Sequence, residues 1–319
     1  MAVVYFDQVS LPIKEGEPVL DTLINHKIDV DYGCKSGVCQ SCIMQAVDGD
    51  IPTQAQKGLN NSQIEQGLFL ACQCHPENDF YISSKPVGQP FRSAKVAEKK
   101  WLSDSVIQLT LAHDLTFQAG QFVNLKSTSG VIRSYSIASL PNEGLLEFHI
   151  KHLEDGAFSQ WLAKNIEQGD EIEIQGPYGD CYYQESESEK PLLLGAMNTG
   201  LAPIWGILKS TLAQEPNRPI ELFIGAKDEQ GHYLIDEIEA LNQQHSNLVV
   251  HRYCLHNHGD NHQVIAGDIY QGIKDNVPDC KGYEVYLCGA ESFVKKLKKQ
   301  CFLSGANMGD IHSDAFVAG

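Results

Sequence analysis

Nowhere in the 319 residues does an uninterrupted apolar run approach the ~20 residues that a membrane-spanning helix needs. No positively charged segment followed by an apolar one opens the chain, so no signal peptide and no membrane anchor are expected. Nor is any region basic. Lys and Arg total 24 against 41 Asp and Glu, a net charge of −17 at pH 7, and each third of the chain is acidic. Neutralising phosphates takes clustered cations, so no nucleic acid is expected as a partner. Internal repeats are absent. These absences leave a soluble protein, expected in the cytoplasm and long enough for two or three domains. Its acidity either serves solubility or steers a basic partner towards it.

Ten cysteines in a chain without a secretory signal argue for metal or redox use over disulfides. Cys34, Cys39 and Cys42 read C-x4-C-x2-C, and Cys72 follows further on. This is the plant-type spacing for a [2Fe–2S] cluster held by four thiolates, each iron taking two soft ligands. Gly33 and Gly37 suit a loop that curls closely around a cluster. Structural zinc sites usually bring two C-x2-C pairs, and here there is one. The stretch from Tyr32 to Cys42, closed by Leu70-Ala71-Cys72, resembles a plant-type ferredoxin domain. Two departures stand out: Gln40 replaces the usual glycine, and Cys74 is a rival fourth ligand. The spacing from Cys42 favours Cys72 and leaves Cys74 a buried bystander.

Residues 2–13 alternate as a strand, turn at Glu15-Gly16-Glu17 and meet Pro18 in a first helical turn. Val19, Leu20, Leu23 and Ile24 follow at helical spacing, and Asp48-Gly49-Asp50 is a turn. The pattern implies a small α+β, β-grasp-like fold over residues 1–88. Lys85-Pro86-Val87-Gly88-Gln89-Pro90 reads as a linker. From 89 to 187, short strands at Val106–Leu111, Phe122–Leu125, Leu146–Ile150 and Glu171–Ile174 suggest an antiparallel barrel with one helix over 158–166. A turn is expected at Gly176-Pro177-Tyr178-Gly179 and a linker at Glu185-Ser186-Glu187-Ser188-Glu189-Lys190. From 188 to 319, apolar strands at 192–194, 221–224, 248–250 and 284–287 alternate with helices, the pattern of a covered parallel sheet.

Arg133-Ser134-Tyr135-Ser136, placed in a barrel upstream of a nucleotide sheet, resembles the flavin motif of the ferredoxin–NADP reductase superfamily. The resemblance covers residues 91–319. It implies FAD, with Tyr135 packed on the isoalloxazine, Arg133 on phosphate and Ser136 beside flavin N5. Gly156-Ala157-Phe158-Ser159 matches the second motif, G-x-x-S, which implies Gly156 and Ser159 at the pyrophosphate on a helix N-terminus. A helix N-cap is the alternative for Ser159. His149 and Lys151, on the preceding strand, are implied to touch the flavin through backbone groups, with a solvated charge the alternative for Lys151. Gly195-Ala196-Met197-Asn198-Thr199-Gly200 is similar to the superfamily's phosphate loop, with Thr199 and Gly200 at the nicotinamide nucleotide. Asn198 stands for a glycine there, and Asn tolerates positive φ. Cys288, in Leu287-Cys288-Gly289-Ala290 at the end of the last well-formed strand, resembles the thiol placed beside the nicotinamide; a simply buried cysteine is the alternative, and the position at the strand's carboxyl end favours the site. Phe316 matches the C-terminal aromatic that covers the flavin in the superfamily; a packing anchor is the alternative.

Ferredoxin, flavin barrel and nucleotide sheet in this order resemble the reductase components of bacterial multicomponent oxygenases. That resemblance implies electron flow from NADH through FAD to the cluster and on to a separate acceptor, an oxygenase component. A flavin belongs between a two-electron donor and a one-electron acceptor. Reduction of a deoxysugar-pathway dehydratase or a quinone is an alternative, as is a redox sensor or carrier, although a sensor needs no loops such as those at Thr199 and Cys288. After the second nucleotide-domain strand, Lys227 is followed by Asp228 and Glu229, which repel a 2′-phosphate, so NADH is expected in preference to NADPH.

Overall fold

The computed structural model describes every residue except 1, 8, 86, 88, 185–189, 257–263 and 317–319. The expected linkers at 85–90 and 185–190 therefore fall partly and almost wholly outside the described residues. Three sheets follow one another along the chain.

The first holds β1 (Val3–Phe6), β2 (Val9–Pro12), β3 (Ile43–Asp48), β4 (Leu68–Leu70) and β5 (Phe80–Ser83), ordered β2-β1-β5-β3-β4. Helix α1 (Val19–Asn25) buries Val19, Leu20 and Leu23, and the short α2 (Asn61–Glu65) follows β3. Residues 2–13 form a hairpin, not one strand. Asp7 at φ +51 reverses the chain between β1 and β2, a conformation Asp reaches more easily than most residues. Pro18 is the N-cap, with extended ψ of 151°, so the helix starts one residue later than expected.

The second sheet is wholly antiparallel, ordered β10-β7-β6-β11-β8-β9. Its strands are β6 (Arg92–Ser103), β7 (Val106–Ala112), β8 (Phe122–Lys126), β9 (Ile132–Ser136), β10 (Leu145–Lys151) and β11 (Glu171–Tyr178). A bridge from Ile137 to Phe148 closes it towards a barrel. Helix α3 (Ala157–Asn165) plugs one end with Phe158 and Leu162. The turn expected at 176–179 is instead largely the end of β11, which bulges between Gln175 and Tyr178. Such a bulge re-aims a strand without ending it.

The third sheet is wholly parallel, ordered β15-β14-β13-β12-β16-β17. It comprises β12 (Leu192–Met197), β13 (Ile220–Asp228), β14 (Leu248–His256), β15 (Ile265–Ala266), β16 (Glu284–Ala290) and β17 (Ile311–Phe316), with α4 (Leu201–Gln214), α5 (Ile235–Gln244), α6 (Ile269–Asn276) and α7 (Glu291–Leu303). The strand carrying Cys288, β16, is not the last: β17 lies beside it and carries residues 311–316 to the edge of the sheet. Among the described residues no helix is long and apolar enough to cross a membrane.

Candidate active site

The loop between α1 and β3 carries Cys34, Cys39 and Cys42, and a 3₁₀ turn at Ala71–Gln73 carries Cys72. The Ala71 N–H donates to the Cys42 carbonyl at 3.0 Å, which draws Cys72 to Cys42. The four sulfurs fall into two interacting pairs, Cys34 with Cys39 and Cys42 with Cys72. Within a pair one thiol donates to the other. The bond from Cys39 holds the Cys34 thiol down at about 4, and the bond from Cys42 lowers Cys72. Backbone N–H groups of Ser36 and Cys39 also donate to Cys34 Sγ, both at 3.4 Å.

Two pairs of thiols are the donor set that two irons need. Among the described residues no three His, Cys, Asp or Glu groups gather around a single metal position. The Ser36 and Ser41 hydroxyls, buried without an oxygen or nitrogen partner, face the sulfurs of Cys34 and Cys39. The loop therefore fits a two-iron cluster. Cys74 stands apart in the ferredoxin core, its thiol pushed up to about 12 by burial. Gln40 takes φ +55 without being glycine, and its side chain donates to the Gly58 carbonyl at 3.0 Å, tying the loop down.

Beside this loop lies a cavity of about 730 Å³, a size suited to a cofactor. β9 contributes Arg133, Ser134, Tyr135 and Ser136, and the ferredoxin loop contributes Cys34 and Val38. Lys151, Gly156 and Ser159 line it from β10 and the start of α3, and Thr199 and Phe316 line it from the nucleotide sheet. Tyr135 leans on buried Phe158, ring centroids 5.3 Å apart, and burial raises its hydroxyl pKa. An aromatic wall next to two cations and the free N–H groups of a helix start fits a flavin dinucleotide.

Two residues are more occupied than expected. The Ser159 hydroxyl accepts from Leu153 N–H at 3.1 Å and sits within 3.3 Å of the Gly156 carbonyl, so it pins the 153–156 turn; Gly156, not Ser159, is the N-cap. His149 also borders the cavity, but its ring nitrogens meet Tyr233 Oη at 3.1 Å and Glu147 at 2.7 Å. Burial lowers its pKa despite the carboxylate beside it.

The reacting edge differs from expectation in one acid. Ser136 Oγ donates to Asp314 Oδ2 at 2.9 Å, a contact between residues 178 apart. Burial pushes the Asp314 carboxyl up to about 6, with the Ser136 bond opposing. Asp314 lines the cavity and pairs with Cys288 across β16 and β17. No local pattern marked it, because only the β17 register brings it to Ser136. Cys288 itself is 0% exposed and does not line the cavity. Its sulfur lies 3.8 Å from that of Cys181, and burial raises its pKa well above the usual thiol range. Gly200 likewise is a packing residue. A Cβ there would lie 2.1 Å from the Cys288 carbonyl oxygen, so only glycine lets the 3₁₀ turn after β12 pack against β16. Asn198 adopts φ +52, the conformation expected of it.

The chain matches three domain families: a 2Fe-2S iron-sulfur cluster binding domain at residues 6–77, an oxidoreductase FAD-binding domain at 93–183 and an oxidoreductase NAD-binding domain at 196–299. It is 28% identical to the ferredoxin–NAD(P)+ reductase component of the naphthalene 1,2-dioxygenase system of Pseudomonas putida, over 97% of this chain and 96% of that protein. It is 30% identical to the xylene/toluene monooxygenase electron transfer component of Pseudomonas putida, over 72% of this chain and 68% of that one. Among solved structures, the cytochrome P450 reductase of Amycolatopsis superposes with a TM-score of 0.71 at 25% identity, covering 99% of each chain.

Proposed function

The chain belongs to the iron–sulfur flavoprotein reductases that serve multicomponent oxygenases, and from that premise we propose which residues carry each part of the work. It is an NAD(P)H-dependent oxidoreductase that passes electrons through FAD and a [2Fe–2S] cluster to a separate oxygenase component. One observation carries the assignment of roles: a single cavity is walled by the cluster loop, the barrel and the nucleotide sheet together.

We assign residues 1–88 to the ferredoxin domain, 89–187 to the flavin barrel and 188–319 to the nucleotide domain. Cys34 and Cys39 hold one iron, and Cys42 and Cys72 the other. Arg133, Lys151 and the start of α3 hold the pyrophosphate, with Gly156 giving the chain its entry and Ser159 fixing the turn. When bound, the flavin converts a two-electron hydride donor into a one-electron source. Around it the protein's own groups orient, shield and exchange protons. Tyr135 and Phe316 flank the ring site and exclude water. Ser136 presents its hydroxyl at the reacting edge, and Asp314 holds that hydroxyl in place and is poised to hold a proton at Oδ2. Thr199 and Gly200 shape the nicotinamide approach. Cys288 supports the edge from beneath. All ten cysteines are free thiols, which suits the reducing cytoplasm we assign to the protein.

NADH is the preferred donor. Asp228 Oδ1 accepts from Gly231 N–H at 3.1 Å and so stays fixed at the end of β13, where Lys227 is followed directly by Asp228 and Glu229. A fixed carboxylate suits a ribose hydroxyl and repels a 2′-phosphate. We expect kcat/KM for NADH to exceed that for NADPH by about tenfold or more, a difference of about 1.4 kcal/mol. A clear NADPH advantage in steady-state kinetics overturns this preference.

A further inference from the structure

The cluster loop and the flavin barrel meet at one fully buried polar side chain. Asn124, in the middle of β8, is 0% exposed. Its Nδ2 donates to the Cys39 backbone carbonyl at 2.9 Å and to Gln175 Oε1 at 3.0 Å. Its Oδ1 accepts from Ser134 Oγ at 2.8 Å. Both donor hydrogens and an acceptor site are thus used, as burial of an amide requires. The partners are not scattered. Ser134 and Gln175 face Asn124 directly on the two neighbouring strands, so the barrel clamps the amide from both sides. Only the bond to Cys39 leaves the barrel.

That bond ends on a cluster-loop cysteine, while Ser134 sits between Arg133 and Tyr135 in the flavin wall. Backbone closeness at the same place is tight. A Cβ on Gly33 would lie 3.2 Å from Cys39 Sγ and 3.4 Å from the Ile132 carbonyl at the start of β9. An exposed neighbour, Lys126 with Asp31 at 2.9 Å, adds a weaker tie.

We infer that Asn124 is a positioning residue for electron transfer: by hydrogen-bonding the Cys39 carbonyl it holds the cluster loop docked against the flavin wall. The inference rests on the reading that Cys39 is a cluster ligand and that the cavity holds the flavin. Transfer between the two centres scales with the fraction of molecules in the docked arrangement, whereas hydride arrives from the nucleotide sheet and does not pass through Asn124.

The test uses the full-length holoprotein with Asn124→Asp and Asn124→Ser. The first turns the donor into an acceptor facing the Cys39 carbonyl. The second withdraws the amide's reach without adding charge and carries the test if the first does not fold. Iron and flavin contents are measured first. A wild type lacking either cofactor sinks the underlying reading and not this inference. In variants holding both, stopped-flow mixing with NADH should bleach the flavin at the wild-type rate. Cluster bleaching should slow by about tenfold, equivalent to about 1.4 kcal/mol lost from the docked arrangement. Trypsin cleavage after Arg92, the exposed first residue of β6 and the tryptic site nearest the joint, should speed up by a similar factor. Cluster bleaching at the wild-type rate overturns the proposal. So does an unchanged cleavage rate, or a slowing shared equally by the flavin step.

Discussion

The barrel meets each of its neighbours differently. Against the nucleotide sheet it offers apolar surface: Val106, Ala138, Cys181 and Tyr183 join Leu201, Ile204, Ile207 and Leu208 of α4 in one core. Gly206 of α4 lies so close that a Cβ there would sit 3.3 Å from the Ile137 carbonyl and 3.4 Å from Ala119 Cβ. Against the ferredoxin domain it offers polar groups: Asn124 to the Cys39 carbonyl and Lys126 to Asp31. The ferredoxin core, built from residues such as Val4, Leu20, Phe69 and Phe80, closes on itself.

The contrast follows the chemistry on each side. Hydride transfer needs reacting atoms held about 3–3.5 Å apart, and a shared apolar core, stabilising by about 25 cal/mol per Å² buried, gives that rigidity. The cluster exchanges single electrons and needs no bond formed across its joint. A few hydrogen bonds, each contributing about 0.5–1.5 kcal/mol net, suffice to dock it.

The sharpest way to separate the two joints is to empty one of its cofactor. Cys39→Ser should abolish the cluster while FAD stays bound, because the barrel and nucleotide sheet keep their common core. NADH-to-ferricyanide activity should survive, and reduction of cytochrome c or of the oxygenase partner should vanish. Loss of NADH-driven flavin bleaching in this variant breaks the claim that the joints are independent. Next in size is a paired comparison of stability. Ile207→Ala, in the apolar joint, should destabilise by about 2–5 kcal/mol, whereas Lys126→Met, in the polar joint, should cost no more than about 1 kcal/mol. Equal shifts in denaturant midpoint erase the distinction drawn here.

A finer probe lies where β17 meets β9. The folded state raises the Asp314 carboxyl from 3.8 to about 6 by burial, so folding favours its protonated form. Its contribution to stability is therefore full below about pH 4 and is lost as pH rises through about 6. Relative to Asp314→Asn, the wild type should lose up to about 3 kcal/mol across that window. Denaturation of both proteins at a series of pH values checks this; parallel profiles show that the carboxyl is not desolvated as described.

Signals confined to a few consecutive residues were legible before any fold was known. The cysteine spacing marked the loop that gathers Cys34, Cys39 and Cys42, and the asparagine at 198 marked a left-handed turn that its φ of +52 fulfils. Arg133, Tyr135 and Ser136 were legible as a group because a strand presents all of them at one rim of the cavity. The strand carrying them was not, and neither was β6, whose alternation is partly hidden by lysines that lie along its exposed face. Cys288 read as an active thiol because it lies near the end of a strand beside the nucleotide turn; the fold instead buries it, 3.8 Å from the sulfur of Cys181, which no pattern near Cys288 announces.

By itself, then, the sequence determined three sheets in their order, a loop that gathers three cysteines and the small-residue turns that open two helices, because spacing, periodicity and backbone preference act over a handful of bonds. Tertiary structure alone decided which distant side chains meet. Asp314 reaches Ser136 through the register of β17 on β16, and Asn124 reaches the Cys39 carbonyl across 85 residues because a barrel strand lies against the cluster loop. Such contacts depend on how whole elements pack, and side chains so far apart in the chain carry no mutual signal until packing brings them within hydrogen-bonding distance.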